Sequence, residues 1–297
     1  MKDSQSVLRS FVRLASRGSV VLAIAILGHF AHEAETSPTN GTLVICGGGN
    51  MPDRVMHRFV QAAGGSRARI VVVTTASEIA DTPEIESELK FWKSLKLKSL
   101  NVLHTRSRET ANDATFVEPL MTATGIWFIG GKQQLLTDVY LGTITEQLIH
   151  AVLRRGGVVG GTSAGAAIMS PLMICRGNPE PEVGPGFGFL PGTVIDQHFL
   201  TRNRQGRLLS VLSSHPDHIG LGIDEGTALI VQGRRMSVVG DSQVVACLAP
   251  AGDRPARMQS LKPGTRVDLL ALTRAASSRG TESKNSALRH TVASQIH

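Results

Sequence analysis

The sequence predicts an α/β protein built on a mainly parallel, doubly wound sheet, with short antiparallel strands toward the C-terminus. Three observations carry this. From Thr42 onward, short unbroken runs of Val, Ile and Leu alternate with longer amphipathic stretches, the pattern of parallel strands covered by helices on both faces. Several of those runs end in glycine-rich turns, at 47–49, 130–131 and 160–165, as tight strand-to-helix connections require. With 297 residues, 41% of them hydrophobic, and 31 glycines, the chain can bury a substantial core in one main domain.

Taken in order, residues 1–40 begin with Lys2, Arg9, Arg13 and Arg17, pass through an apolar stretch at 20–27, and end polar around Glu33, Glu35 and Pro38. This order predicts an export signal and linker, hence a periplasmic or extracellular protein. The apolar part is too short to cross a bilayer as an ordinary helix. Histidine stands two residues before both Ala31 and Ala34, a poor fit to a cleavage site, so an uncleaved anchor or a plain N-terminal helix is also consistent with the segment, and a cytoplasmic location stays open.

The catalytic α/β domain is expected over 41–273. A first buried strand, 42–46, leads through Gly47-Gly48-Gly49-Asn50 to a helix at 53–63. Strands at 70–74, 100–103 and 126–129 then alternate with helices near 84–95 and 116–122, and a long helix is expected from Gly130-Gly131 through Arg154. Gly157-Val158-Val159 opens the next strand. Residues 176–191, rich in Gly and Pro, read as a surface loop that could border a site. A strand-like run at 195–199, a helix at 207–214 and a buried strand at 219–223 follow, and then short strands at 227–231, 236–239, 244–248 and 267–270. From Arg274, Ser, Arg, Thr and Asn dominate, so residues 274–297 are expected to form a disordered tail.

Composition narrows the function. Residues 1–40 carry four Lys/Arg against three Asp/Glu and residues 274–297 four against one, which leaves +3 of the formal net charge of +7 for the body between them. With aromatics at 4% as well, a nucleic-acid groove is poorly supported. Cys46, Cys175 and Cys247 lack C-x-x-C spacing and read as apolar thiols. His215 and His218 are a close pair without further ligand spacing, so neither a metal nor a cofactor is expected. The Gly47–Gly49 turn satisfies neither nucleotide-binding glycine motif.

The chemistry centres on Gly160-Gly161-Thr162-Ser163-Ala164-Gly165-Ala166-Ala167. A β-branched run, small residues about one serine and then helix-compatible residues form the G-x-S-x-G pattern of a nucleophile elbow, with Ser163 as nucleophile. The elbow sets the start of a helix behind the serine, so the Ala164 N–H is an oxyanion candidate. Gly131 is a second, because the Gly130-Gly131-Lys132-Gln133 turn opens a helix whose N–H groups could face the same cleft. The same elbow residues would also suit a turn that only packs a helix closely on a sheet. A serine nucleophile needs a base and an orienting acid. His198 and Glu225, each at the end of an apolar run, are the candidates; singly, each fits a core histidine or a solvated loop carboxylate equally well.

Together the three motifs G-G-T-S-A-G-A-A, I-D-Q-H-F followed by R-x-R-x-x-R, and G-I-D-E-G-T-A, in this order, resemble the cyanophycinase group of the serine peptidase family that also contains aspartyl dipeptidase (peptidase E). The resemblance covers residues 42–272. It implies a class I glutamine amidotransferase-like α/β sandwich and a Ser-His-Glu triad, here Ser163, His198 and Glu225. It also implies a substrate pocket of Gln133, Asp196, Gln197, Arg202, Arg204 and Arg207, and a homodimer. The reaction implied is exopeptidase cleavage of cyanophycin, a polyaspartate bearing arginine on its side chains, to β-aspartyl-arginine dipeptides through an acyl-enzyme. Arginine suits such a pocket because its planar fork pairs with carboxylates; a solvated cluster of the three arginines is the plainer reading. Lys132 departs from the Asp or Asn common at that position in related sequences.

Two further hydrolase readings fit less well. An α/β-hydrolase esterase places its acid before its histidine, the reverse of the order here, and a glutamine amidotransferase has cysteine at the elbow. The alternatives retained are a dipeptidase acting on short aspartyl peptides and an exported binding protein without turnover.

Overall fold

Thr42–Cys46 (β1) is buried end to end, and the main sheet is assembled outward from it. The computed structural model describes residues 40–294, with side chains to residue 283. The export signal predicted over residues 1–40 lies outside the described residues except for its last position. On one side of β1 lie β5 (Val158–Thr162), β4 (Gly125–Phe128), β2 (Arg69–Val73) and β3 (Ser99–Leu103), all parallel. On the other side β10 (Thr227–Gln232), β11 (Arg235–Gly240) and β14 (Arg266–Asp268) pair antiparallel, completing eight strands. The architecture is therefore mixed α/β with a large, mostly parallel central sheet.

Alternation along the parallel strands divides the core in two. Leu43, Ile45, Val71, Val73, Ile126, Phe128 and Val159 face one side, where α3 (Ala114–Thr122), α4 (Gln133–Tyr140) and α5 (Ile144–Arg154) pack. Val44, Cys46, Ile70, Val72 and Trp127 face the other, covered by α1 (Asp53–Ala62) and α2 (Ile85–Ser94). Phe59 of α1, Trp92 of α2 and Trp127 of β4 meet there with ring centroids 5.0 to 5.7 Å apart, which concentrates much of the scarce aromatic surface at one helix–sheet contact. Both faces are buried, which is why these strands read as continuous apolar runs.

Several expectations are corrected. The single helix expected through Arg154 is two, α4 and α5, because the chain turns extended at Leu141. Arg108 donates to the carbonyls of Asp138 and Leu141, and the Glu146 carboxylate accepts the Gly142 N–H, so side chains satisfy the backbone groups freed by the break. The loop expected at 176–191 is partly a hairpin, in which β6 (Leu172–Arg176) pairs antiparallel with β7 (Glu182–Pro185). It is followed by the buried Phe187, Phe189 and Leu190. The strands β8 (Thr193–Gln197) and β9 (Ile219–Ile223) leave the main sheet. With β12 (Val244–Leu248), a strand the run pattern predicts, and β13 (Arg257–Leu261), which it misses, they form a four-stranded sheet in order β13-β12-β9-β8. One face of this second sheet shares the main core; the other is covered by α7 (Gln205–Ser214) through Leu208, Val211 and Leu212.

Of the tail expected to be disordered from Arg274, the described residues belong to a helix, Leu269–Ser294, numbered α8 since α6 is the one-turn helix Ala164–Ala167 after the elbow. Its polar composition conceals anchors that act at long range. Ala276 is buried, Leu272 and Ala275 pack on the core, and Arg279 donates to the carbonyls of Ala249 and Pro255.

Candidate active site

Strand β5 ends at Thr162, one residue before the elbow serine. Ser163 has φ 53° and ψ −109°, a conformation seldom adopted outside glycine, and its N–H donates to the Cys46 carbonyl of β1 at 3.1 Å. The Ser163 carbonyl in turn accepts the N–H groups of Ala166 and Ala167 in α6. Held from both sides, the serine projects from the strained strand-to-helix turn that the G-x-S-x-G pattern predicts.

His198 follows β8 and Glu225 follows β9, two parallel neighbours of the second sheet. The Ser163 hydroxyl donates to His198 Nε2 at 2.9 Å, and His198 Nδ1–H donates to Glu225 Oε1 at 2.5 Å. The carboxylate can only accept, so it fixes the imidazole proton on Nδ1 and leaves Nε2 free to receive the serine proton. Burial holds His198 below the ordinary imidazole range; the bond to Glu225 opposes this, and the cations of Arg202 and Arg204 add to it. Burial thus favours the neutral imidazole, the form a base must have.

The Gly47-Gly48-Gly49 turn, which matches neither nucleotide-binding motif, forms the floor of this arrangement. The Gly47 carbonyl accepts the His198 N–H at 2.7 Å, and the Gly48 carbonyl accepts the Gly226 N–H at 2.9 Å. Gly48 has φ +102°, and a Cβ there would stand 2.3 Å from His198 Cε1. A side chain would thus displace the imidazole, and this close approach explains the glycine. Asp224, also overlooked, ties the two strand ends together. Its Oδ1 accepts the N–H groups of Leu200 and Thr201 and the Thr201 hydroxyl at 2.9 to 3.0 Å, while Oδ2 accepts the Ser242 hydroxyl at 2.7 Å. Neither signal was readable without knowing which strand ends converge.

The Gly130-Gly131 turn lies beside the serine, with a Cβ on Gly130 standing 3.5 Å from Ser163 Cβ. Among the described residues, the N–H groups of Gly131 and Ala164 donate to no protein acceptor. Gln133 opens α4, but its amide nitrogen donates to the carbonyls of Ile174 and Cys175 at 2.9 and 2.7 Å and so fastens that helix to the β6–β7 hairpin. The Lys132 ammonium pairs with Glu78 at 2.6 Å on the surface, so the added cation is largely neutralised.

The remaining predicted pocket residues form layers rather than a common surface. Asp196 is fully buried, and Arg207, 4% exposed, grips it with Nε and Nη2 at 2.8 and 2.5 Å while Nη1 donates to the Gly177 carbonyl at 2.8 Å. Arg204 donates to the carbonyl and side-chain oxygen of Gln197 and lies 3.5 Å from Asp196. Burial, with Arg207 beside it, lowers the Arg204 guanidinium to about 10, so it stays charged at neutral pH. Its buried Nε has no partner among the described residues. Arg202 alone of the three arginines is exposed, on the turn whose N–H reaches back to the His198 carbonyl. The solvated cluster that would have been the plainer reading of the arginines is thus not what Arg204 and Arg207 form.

Comparison with known proteins places the chain in a family. Residues 42–239 match Peptidase family S51. A cyanophycinase from Geminocystis herdmanii (strain PCC 6308) is 35% identical over 188 residues, 60% of this chain and 68% of that protein. Cyanophycinases from Synechococcus elongatus and Nostoc sp. (strain PCC 7120 / SAG 25.82 / UTEX 2576) are 34% and 32% identical, and the chain spans 58% and 62% of their lengths. In fold, the chain is similar to the crystal structure of a peptidase from an acI-B1 actinobacterium, with a TM-score of 0.61 and 24% identity over 78% of this chain and 98% of that one. With the family match extending over two thirds of its length, the chain belongs to peptidase family S51, and it is a peptidase.

Proposed function

We propose that the protein is a serine-type exopeptidase that degrades cyanophycin through an acyl-enzyme. The observation that carries the reading is the hydrogen-bonded series from Ser163 to His198 to Glu225. In the reaction inferred, Ser163 Oγ attacks the scissile carbonyl as His198 Nε2 takes its proton. The Gly131 and Ala164 N–H groups receive the oxyanion, and the imidazolium then protonates the leaving amine. Water, deprotonated by the same imidazole, hydrolyses the ester and releases the dipeptide. Glu225 holds the tautomer and stabilises the imidazolium.

The substrate assignment draws on the cyanophycinase relatives and on the arginine-rich turn after His198. Arg202, exposed beside the imidazole, is the group we assign to a substrate carboxylate. Asp196, Gln197, Arg204 and Arg207 shape the pocket from beneath through their buried pairs, and Gln133 holds its hairpin wall. A two-pronged arginine recognises a carboxylate in a way that lysine cannot reproduce.

The test is to incubate parent and Ser163→Ala protein with insoluble cyanophycin and, separately, with short aspartyl peptides, and to follow release of β-aspartyl-arginine dipeptides. Release from the polymer by the parent alone is expected. Turnover of short peptides only would make the protein a dipeptidase, and no turnover of either by the parent would leave a binding protein.

A further inference from the structure

The loop after β2 takes no part in the acyl-enzyme reaction and is held by several side-chain bonds. Arg106, just beyond β3, donates from Nη1 to the Thr75 carbonyl, from Nη2 to the Ser77 carbonyl at 2.8 Å, and from Nε to Asp81 Oδ2 at 2.9 Å. His104 Nε2 meets the other Asp81 oxygen at 2.7 Å, and the Thr75 hydroxyl shares a hydrogen bond with Tyr140 at 2.6 Å. One guanidinium therefore pins the two carbonyls that flank Ala76.

Ala76 is the residue on which the Gly130-Gly131 turn rests. Its carbonyl accepts the Lys132 N–H at 2.8 Å, and a Cβ on Gly131, where φ is +131°, would stand 2.0 Å from that same oxygen. The Gly131–Lys132 peptide is thus oriented by where the Ala76 carbonyl stands, and the Gly131 N–H, one peptide earlier, is held through the close approach of Gly131 to that oxygen. That position is set in turn by Arg106. A donor for a developing oxyanion must be fixed before the reaction, since a displacement of about 1 Å can cost on the order of 100-fold in rate.

We propose that Arg106 is a positioning residue for the Gly131 N–H, acting through the Thr75–Ala76–Ser77 carbonyls, with Asp81 holding the guanidinium in register. The inference rests on the acyl-enzyme reading above, in which Gly131 is an oxyanion donor. It assigns Arg106 to stabilisation of the tetrahedral intermediate and not to substrate binding, and the two contributions separate in kinetics.

The experiment compares parent, Arg106→Gln and Asp81→Asn protein on cyanophycin. It also measures inhibition by a short peptide aldehyde ending in an aspartyl residue that carries arginine on its side-chain carboxyl. Addition of the serine hydroxyl to this aldehyde gives a hemiacetal whose oxygen occupies the oxyanion position. For Arg106→Gln, kcat should fall about 10-fold or more with KM within about 2-fold, and the aldehyde inhibition constant should rise by the factor that kcat falls. Asp81→Asn alters an exposed side chain and should move both quantities in the same direction by about 3-fold. If Arg106→Gln does not fold, as circular dichroism would show, Asp81→Asn decides alone. Unchanged kcat, or a loss in kcat that leaves aldehyde affinity unmoved, would overturn the proposal. An aldehyde that fails to inhibit the parent protein would instead count against the acyl-enzyme reading itself.

Discussion

Replacing Arg207 by lysine isolates the contribution of the buried fork beneath the site. Arg207 makes two bonds to Asp196 and one to the Gly177 carbonyl, and both charged partners are almost wholly shut off from solvent. A lysine keeps the charge but offers one compact ammonium, so at least one carboxylate oxygen and the Gly177 carbonyl lose their donor. A hydrogen bond to a charged group contributes about 1.5–3 kcal/mol, which sets the expected cost of Arg207→Lys at roughly 2–3 kcal/mol. Arg207→Ala leaves Asp196 buried with only the longer Arg204 contact and should cost about 3–5 kcal/mol. Urea denaturation reads both values as shifts in midpoint at constant slope, and kcat/KM on cyanophycin should fall by about 10-fold or more in each folded variant. If Arg207→Lys stays within about 0.5 kcal/mol of the parent, the fork geometry does not stabilise the fold. The pocket would then rest on other contacts.

Further outcomes follow from the same geometry. Gly48→Ala should lower kcat by about 100-fold or more, because its Cβ would push the imidazole from Ser163; activity within about twofold of the parent would show that the ring has room to move. Since burial depresses His198, the acid limb of kcat/KM should lie below the free imidazole value of about 6.5, and Arg202→Gln, which removes a nearby cation, should move it upward; a limb above that value would contradict the assignment. The linked effect on stability has a fixed sign. The unfolded chain binds this proton more readily, so the contribution of His198 is complete above the unfolded value and is lost as pH falls toward the folded one, which urea titrations at pH 5 to 7 would detect. Protein recovered from the native cell should begin after Ala31 or nearby, as N-terminal sequencing would show, and Met1 on soluble cytoplasmic enzyme would sink the expectation of export.

Legibility in the sequence followed how local each determinant is. The parallel strands could be read because each is buried on both faces, so that Ile70 to Val73 must be apolar whatever packs on them. Ser163 was legible because its backbone conformation demands small neighbours on either side. The break between α4 and α5 was hidden, since Arg108 supplies the donors from some 30 residues away. The helical tail was missed for a related reason: Arg279 reads as a solvated charge until the carbonyls of Ala249 and Pro255 are brought to it. Asp196 and Arg207 could be singled out by their motifs, but nothing local shows that they pair with one another beneath the pocket. The glycines at 47–49 matched neither nucleotide-binding motif, and their actual use stayed hidden, because what Gly48 accommodates is an imidazole from another strand.

Whether Ser163 is the nucleophile is tested most directly by locating a covalent adduct. A fluorophosphonate probe should label the folded parent protein at Ser163, identified by mass spectrometry of the modified peptide, and should abolish turnover in step with labelling. Ser163→Ala should take no label and should lose roughly 1,000-fold or more in turnover. Labelling at another residue, or near-normal hydrolysis of cyanophycin by Ser163→Ala, would contradict the account.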